Sequence, residues 1–335
     1  MAVIATNTPT LLDVAKRLNP DGGGIMPIAE LLSQENEMLM DMPWYEGNLP
    51  TGSRITTRTG LPDVIFRKLN GGVPNSKSTT AQIDEACGIL EARSQIDVDL
   101  AMLNGNTAAF RLSEAKAFIE AMNQTMQRNV IYGNAGVTPE GFTGLAPRFN
   151  TLTASTAATA NNVISAGGSG STNTSIWLVG WGENSVHGIY PKGSQAGLVH
   201  RDLGEQDAFD PSNNRYRALM DQYQWKCGIA VKDWRYIVRI ANVDVTALTK
   251  NAASGADIID LMTQALELIQ GLTGVTPAFY CSRRIRSFLR RQTVNKVASS
   301  TLAYENVAGR PALMFGEVPV RRVDSILNTE AAVAA

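Results

Sequence analysis

The chain has 335 residues, 44% of them hydrophobic and 18% charged, and its 30 Lys+Arg against 31 Asp+Glu leave a formal charge of −1. Length and apolar share suffice for two or three packed domains, while the charge balance argues against a broad basic nucleic-acid surface and against a disordered acidic tail protein. Three scattered cysteines (Cys87, Cys227, Cys281) and two histidines (His187, His200), with no Cys-x-x-Cys or Glu-x-x-His spacing, speak against a disulfide framework, a zinc site and a metallohydrolase.

The expected compartment is reducing, and no cofactor or metal is expected. No apolar run is long enough to span a bilayer. The first residues, Met-Ala-Val-Ile-Ala-Thr, lack the basic start and apolar run of a secretory signal.

At the N-terminus, Leu11, Leu12, Val14, Ala15 and Leu18 fall at helical spacing after Thr8-Pro9-Thr10, and Asn19-Pro20-Asp21-Gly22 ends the pattern. A second short helix is expected over 28–40. Met26, Met38, Met40 and Met42 make this region an adaptable apolar surface. Two short, separately terminated helices cannot enclose a core, so the segment is either the packed edge of a domain or an arm that docks on a neighbouring subunit.

Residues 53–59 and 64–69 read as strands, and 88–97 as a third, with the polar connection 70–78 between the last two. Strands this charged cannot be buried on both faces. They predict a protruding β-hairpin whose second face is covered by something outside the segment.

Residues 112–132 give the clearest helix. Leu112, Ala115, Phe118, Ile119, Met122, Met126 and Val130 form one stripe, and Gly133 follows it. Residues 150–175, rich in Thr, Ser, Ala, Asn and Gly, read as a linker or loop. Its glycines are followed by no lysine and preceded by no apolar strand, so a phosphate loop is not expected.

Strands follow at 174–181, 188–190, 225–231 and 236–240. A helix at 257–270, apolar nearly all round, should be deeply packed. Then come a buried strand at 278–281, a helix at 282–296, a hairpin-like unit at 311–326 and a tail at 328–335 expected to fray.

Two constellations invite a chemical reading. Ser185 and His187 lie two apart, on one face of a strand, but a nucleophile–base pair needs a third orienting group and no nucleophile elbow is present. A histidine satisfied by backbone is expected instead. The run from Arg283 to Arg291 places Ile285, Phe288 and Leu289 inward and five arginines outward. A solvated face, ion pairs with a neighbouring subunit and contact with nucleic-acid phosphates all remain open for it.

The order of arm, charged hairpin, long amphipathic helix, Gly/Ser loop and mixed α/β region resembles the major capsid proteins of tailed double-stranded-DNA bacteriophages, with the Hong Kong-97-type fold. Trp181-Gly182-Glu183-Asn184-Ser185-Val186-His187-Gly188-Ile189-Tyr190-Pro191 and Gly228-Ile229-Ala230-Val231-Lys232-Asp233-Trp234-Arg235 are similar to phrases in short-tailed phages of the epsilon-fifteen type.

The resemblance implies an α+β phage major-capsid fold, with an N-terminal arm (1–47) and an extended β-hairpin loop (48–100). A mostly peripheral domain (101–250) would carry the spine helix 111–132, and a mostly axial domain with the tail would occupy 251–335. Phe315-Gly316-Glu317-Val318-Pro319-Val320 comes last, after the 225–249 strands, which implies a permuted module order.

It further implies a non-enzymatic shell protein of the virion, assembled in the host cytoplasm as pentamers and hexamers. Portal, scaffolding and decoration proteins would be its partners, and packaged double-stranded DNA would be touched only by weak local contacts. No membrane is involved. Arg54, Arg58, Arg67, Lys68, Arg283, Arg286 and Arg290 are the expected intersubunit contacts. An encapsulin-like compartment, a Ser/His hydrolase and a non-assembling binding module are the alternatives.

Overall fold

The computed structural model describes residues 8–10, 13–14, 33–102, 107–248, 257–294, 302–307 and 310–334. Most of the helix expected over 11–18 and the start of the one expected over 28–40 lie outside them. Where the second was to end there is a single helical turn, α1 (Met38–Asp41).

β1 (Trp44–Glu46) leads to β2 (Gly52–Gly60) and β3 (Thr79–Ala86), then to β4 (Gly88–Asp97), α2 (Val98–Met102) and α3 (Thr107–Tyr132). The middle of the chain holds β5 (Val163–Ser165), β6 (Asn173–Trp181), β7 (Val186–Tyr190), β8 (Leu198–Phe209), β9 (Arg215–Val231) and β10 (Ile237–Asp244). After these come α4 (Ile258–Leu268), β11 (Thr276–Cys281), α5 (Arg283–Val294), β12 (Leu302–Val307), β13 (Arg310–Phe315) and β14 (Val318–Arg322).

Twelve strands make one mixed sheet in the order β12-β13-β14-β11-β6-β7-β9-β4. β1 joins β7, β10 lies beside β6 with β5 on its far side, and β8 lies beside β9. β2 and β3 form a separate two-stranded sheet among the described residues. β6 is buried along its whole length, because its alternate side chains enter two different cores. Trp177, Val179 and Trp181 meet Met126, Val130 and Ile131 of α3 with Phe142, Leu145 and Phe149. Ile176 and Leu178 meet Ile258, Met262 and Ala265 of α4 and Ile285, Phe288 and Leu289 of α5. Each large side chain buried in this way contributes about 1.5–3 kcal/mol.

Two glycines are required by close geometry. A Cβ on Gly188 would sit 2.7 Å from the Trp44 ring that covers it. Gly316, at φ +58°, makes the two-residue turn between Phe315 and Val318.

Several expectations are corrected. Residues 64–69 form no strand: beyond the Gly60–Thr79 pair there is no partner for a ladder, and Val64, Phe66 and Leu69 stand in solvent. The second strand of the hairpin is β3, while β4 leaves the hairpin to pair with β9 from Gly88–Cys227 to Asp97–Ala218. β9 begins ten residues before the expected strand and carries β8 on its other side.

α3 starts at Thr107, and its expected stripe is fully buried only from Met122 onward, while Phe110, outside that stripe, is buried against Ile96 and Ala101. Met122, Met126 and Val130 are buried, but Leu112 and Ile119 are exposed. α4 is not packed all round, since Ile258, Met262 and Ala265 form its buried face and Leu268 faces solvent.

The tail does not fray over its described residues. Glu330 is buried, Leu152 N donates to Ala334 O at 3.1 Å, and Val333 N donates to Asn242 Oδ1 at 2.7 Å. The backbone groups of this segment find partners on the body, which short tails of this composition seldom do.

Candidate assembly surfaces and their anchors

The β2–β3 hairpin is fastened at its base and bare at its tip. At the base, Ile55 packs on Ile189 and Ala230, and Arg148 donates to both oxygens of Glu85 at 2.6 Å each. Such a bidentate pair sets direction as well as attraction. Past this point the apolar side chains find no cover: Leu61 is 80% exposed, Val64 90%, Phe66 104% and Leu69 94%. Large apolar groups this exposed and this close together mark an interaction surface.

The cations of the hairpin divide into two kinds. Arg54 is bound within it, donating from Nε and Nη2 to Asp84 at 2.7 Å each, and holds that carboxyl below its usual range. Arg58, Arg67 and Lys68 are exposed on the distal part. Between residues 56 and 83 lie four cations (Arg58, Arg67, Lys68, Lys77) and one acid, Asp63. The tip is therefore apolar and cationic together.

The arginines of α5 divide likewise. Arg286 donates from Nη1 to Glu37 Oε1 at 3.1 Å, inside its own chain. Arg321 lies 3.5 Å from the same carboxylate and 3.2 Å from Asp41. Tyr280 Oη donates to Asp41 at 2.8 Å and accepts from Trp181 Nε1 at 2.7 Å. Burial raises the Asp41 carboxyl, with the Tyr280 hydrogen bond and Arg321 opposing. This chain of contacts fastens the end of the N-terminal segment to β11, β14 and α5. Arg283 and Arg290 are exposed.

Two further anchors were not foreseen. Arg239, a buried residue of β10, donates from Nη2 to Glu330 Oε2 at 2.9 Å and from Nη1 to Phe149 O at 2.8 Å. Ser175 and Tyr132 also hydrogen-bond Glu330. Arg111 of α3 lies 2.7 Å from Asp202 and 2.7 Å from Asp221, and His200 Nε2 lies 2.9 Å from the same Asp221 oxygen. His200, Tyr223 and Phe118 stack face to face across β8, β9 and α3. No hydrophobic period announces either cluster, because bonded members lie as many as 198 residues apart in the first and 110 in the second.

The Ser185–His187 pair has no catalytic geometry. Ser185 Oγ donates to Gly180 O at 2.8 Å, His187 Nδ1 is 3.3 Å from Gly182 O, and among the described residues the two side chains share no hydrogen bond. The Tyr45 ring meets His187 edge-on at 5.1 Å. Burial, aided by Lys232, lowers the imidazole to about 4, so it is neutral at neutral pH. Burial pushes Cys227 and Cys281 up to about 12 and Cys87 to about 11, so all three stay thiols. No described helix is long and apolar enough to cross a membrane.

Comparison with known proteins gives one family model, described as Major capsid protein GP7, which matches residues 20–334. No curated protein matches. Among solved structures, a chain of the near-atomic structure of bacteriophage Epsilon15 is similar at 36% identity and a TM-score of 0.78, with 100% of each chain covered. The bacteriophage JBD30 capsid matches more remotely, at 9% identity and a TM-score of 0.48 over 96% of this chain and 99% of that one. The SrpI encapsulin complex of Synechococcus elongatus PCC 7942 matches at 13% and 0.42 over 70% and 96%.

Proposed function

This chain belongs to the GP7 family of major capsid proteins, non-enzymatic virion components that form the phage head shell, and from that premise we propose how it closes such a shell. The distal β2–β3 hairpin is the outreaching element. Its exposed Leu61, Val64, Phe66 and Leu69, with Arg58, Arg67 and Lys68, dock on a neighbouring copy. Arg54 and Arg286 act within the chain, stiffening the hairpin and holding the N-terminal segment. Arg283 and Arg290 are left for neighbours.

In this reading residues 1–47 are the arm, 48–100 the extended loop, 101–250 mostly the peripheral domain, and 251–335 mostly the axial domain and tail, in a permuted module order. Copies associate by heterologous contacts that close into pentamers and hexamers. Portal, scaffolding and decoration proteins complete the particle, and packaged double-stranded DNA lies inside it with weak local contacts. The near-neutral chain fits this use, since many copies crowd together without accumulating repulsion.

The observation that carries the reading is the contrast between a fastened hairpin base and a bare apolar tip. Replacing residues 61–78 by a two-residue Asn-Gly turn tests it. The shortened protein should stay soluble and folded but yield no closed particles by sedimentation and electron microscopy. Normal particles would refute the role given to the hairpin.

A further inference from the structure

The two helices over the second core carry opposite charge. α4 with its N-cap presents Asp257, Asp260 and Glu267 to solvent and contains no Lys or Arg. α5 contains Arg283, Arg284, Arg286, Arg290 and Arg291 and no acid. Both insert into the same apolar cluster, so they lie on one face of the sheet. α4 packs against β10, α5 packs against β14 and β12, and the strand order between them is β14-β11-β6-β10. One margin of this face is therefore acidic and the opposite margin is arginine-rich.

Among the described residues neither margin is neutralised. Arg286 alone turns inward, to Glu37. Arg283, Arg284, Arg290 and Arg291 are exposed and form no ion pair with any described residue. On α4, Asp260 accepts from Gln264 of its own helix at 2.7 Å, and Glu267 is exposed beside Leu268, itself 40% exposed.

We propose that the arginine margin of α5 on one copy docks against the acidic margin of α4 on the next copy, forming the electrostatic seam of each ring. The inference rests on the shell reading above and names the partner surface for Arg283 and Arg290. A head-to-tail contact joins unlike patches of identical molecules, and these two unlike patches sit at opposite ends of one face. Guanidinium forks suit carboxylates bidentately, and their apolar stems can cover Leu268. The whole-chain charge of −1 means that the arginine surplus of α5 is balanced by acids elsewhere on the same molecule.

Charge reversal tests the seam. Arg283→Glu with Arg290→Glu, and separately Asp260→Lys with Glu267→Lys, should each cut the yield of closed particles at least about tenfold, and coexisting in one chain they should restore it to within about threefold of wild type. All four side chains are exposed, so circular dichroism and melting of the soluble chains should be unchanged. Arg283→Gln with Arg290→Gln, which adds no repulsion, should give an intermediate yield.

Normal particle yield from either reversal overturns the proposal. So does an arginine reversal that builds normal shells but loses their DNA, which would assign the face to nucleic acid. If wild-type protein itself forms no shells, the shell reading fails. If wild type assembles and the four-residue exchange rescues nothing, only the seam fails.

Discussion

β6 and β2 are both nine-residue strands, and they use the same backbone in opposite ways. β6 sends Trp177, Val179 and Trp181 into one core and Ile176 and Leu178 into another, so its burial is complete inside a single chain. β2 buries only Gly52, Ser53 and Ile55 at its base and then extends, with β3, towards a tip where Phe66 is fully exposed. Strand structure is thus no measure of independence. The wall of strands around β6 is finished by folding, whereas the tip of the hairpin is left bare by the described residues of its own chain.

The largest effect should come from breaking the wall. Glu330→Ala leaves Arg239 buried with its charge partner gone, and each of these side chains is only 6% exposed. Urea denaturation of the dissociated subunit should show a loss of about 3–5 kcal/mol. An unchanged midpoint would remove the C-terminal segment from the wall.

A smaller effect, set by pH, should sharpen the same contrast. His187 is neutral in the fold, its value lowered from 6.5 to about 4, so the unfolded chain binds a proton that the folded chain refuses. The stability from this group is complete above pH 6.5 and falls as pH drops towards 4, by roughly 3 kcal/mol in all. Asp41 works the other way, since its raised value favours the fold as pH falls. The difference between wild type and His187→Gln isolates the histidine. Parallel pH profiles for the two would show that burial of the imidazole carries no such linkage.

The smallest effect on the subunit belongs to the tip. Phe66→Ala should change the stability of the dissociated chain by less than about 0.5 kcal/mol, as surface substitutions do, yet reduce the yield of closed particles. A marked loss of subunit stability would mean that the tip rests on its own body.

Much of the wall was legible beforehand, and the reasons are local. In β6, Ile176-Trp177-Leu178-Val179 admits hardly any other reading, and the spacing of Ile285, Phe288 and Leu289 gave the buried face of α5 correctly. The hairpin was legible as a hairpin, but its second strand was misplaced. Val64-Ile65-Phe66 has the higher β-propensity, while Thr79–Ala86 (Thr-Thr-Ala-Gln-Ile-Asp-Glu-Ala) has little, and pairing with β2 outweighs both. β8 escaped notice for the same reason: Arg201, Asp202, Glu205 and Asp207 obscure a strand that β9 templates along eleven residue pairs. Among the expected contact residues, nothing near Arg54 or Arg286 in sequence distinguished them from Arg58 or Arg290. Their partners Asp84 and Glu37 lie 30 and 249 residues away.

By itself, the sequence determined the apolar stripes, the charge balance, the absence of metal-ligand spacing and the likeness to phage capsid proteins. All of these are read from neighbours along the chain, or from whole phrases of it. Only the tertiary structure decided which strand answers β2, which arginines are committed inside the subunit, and that Glu330 holds a tail that composition would have left loose. Hydrogen-bond ladders and buried ion pairs join residues distant along the chain, and no local period encodes the identity of a distant partner.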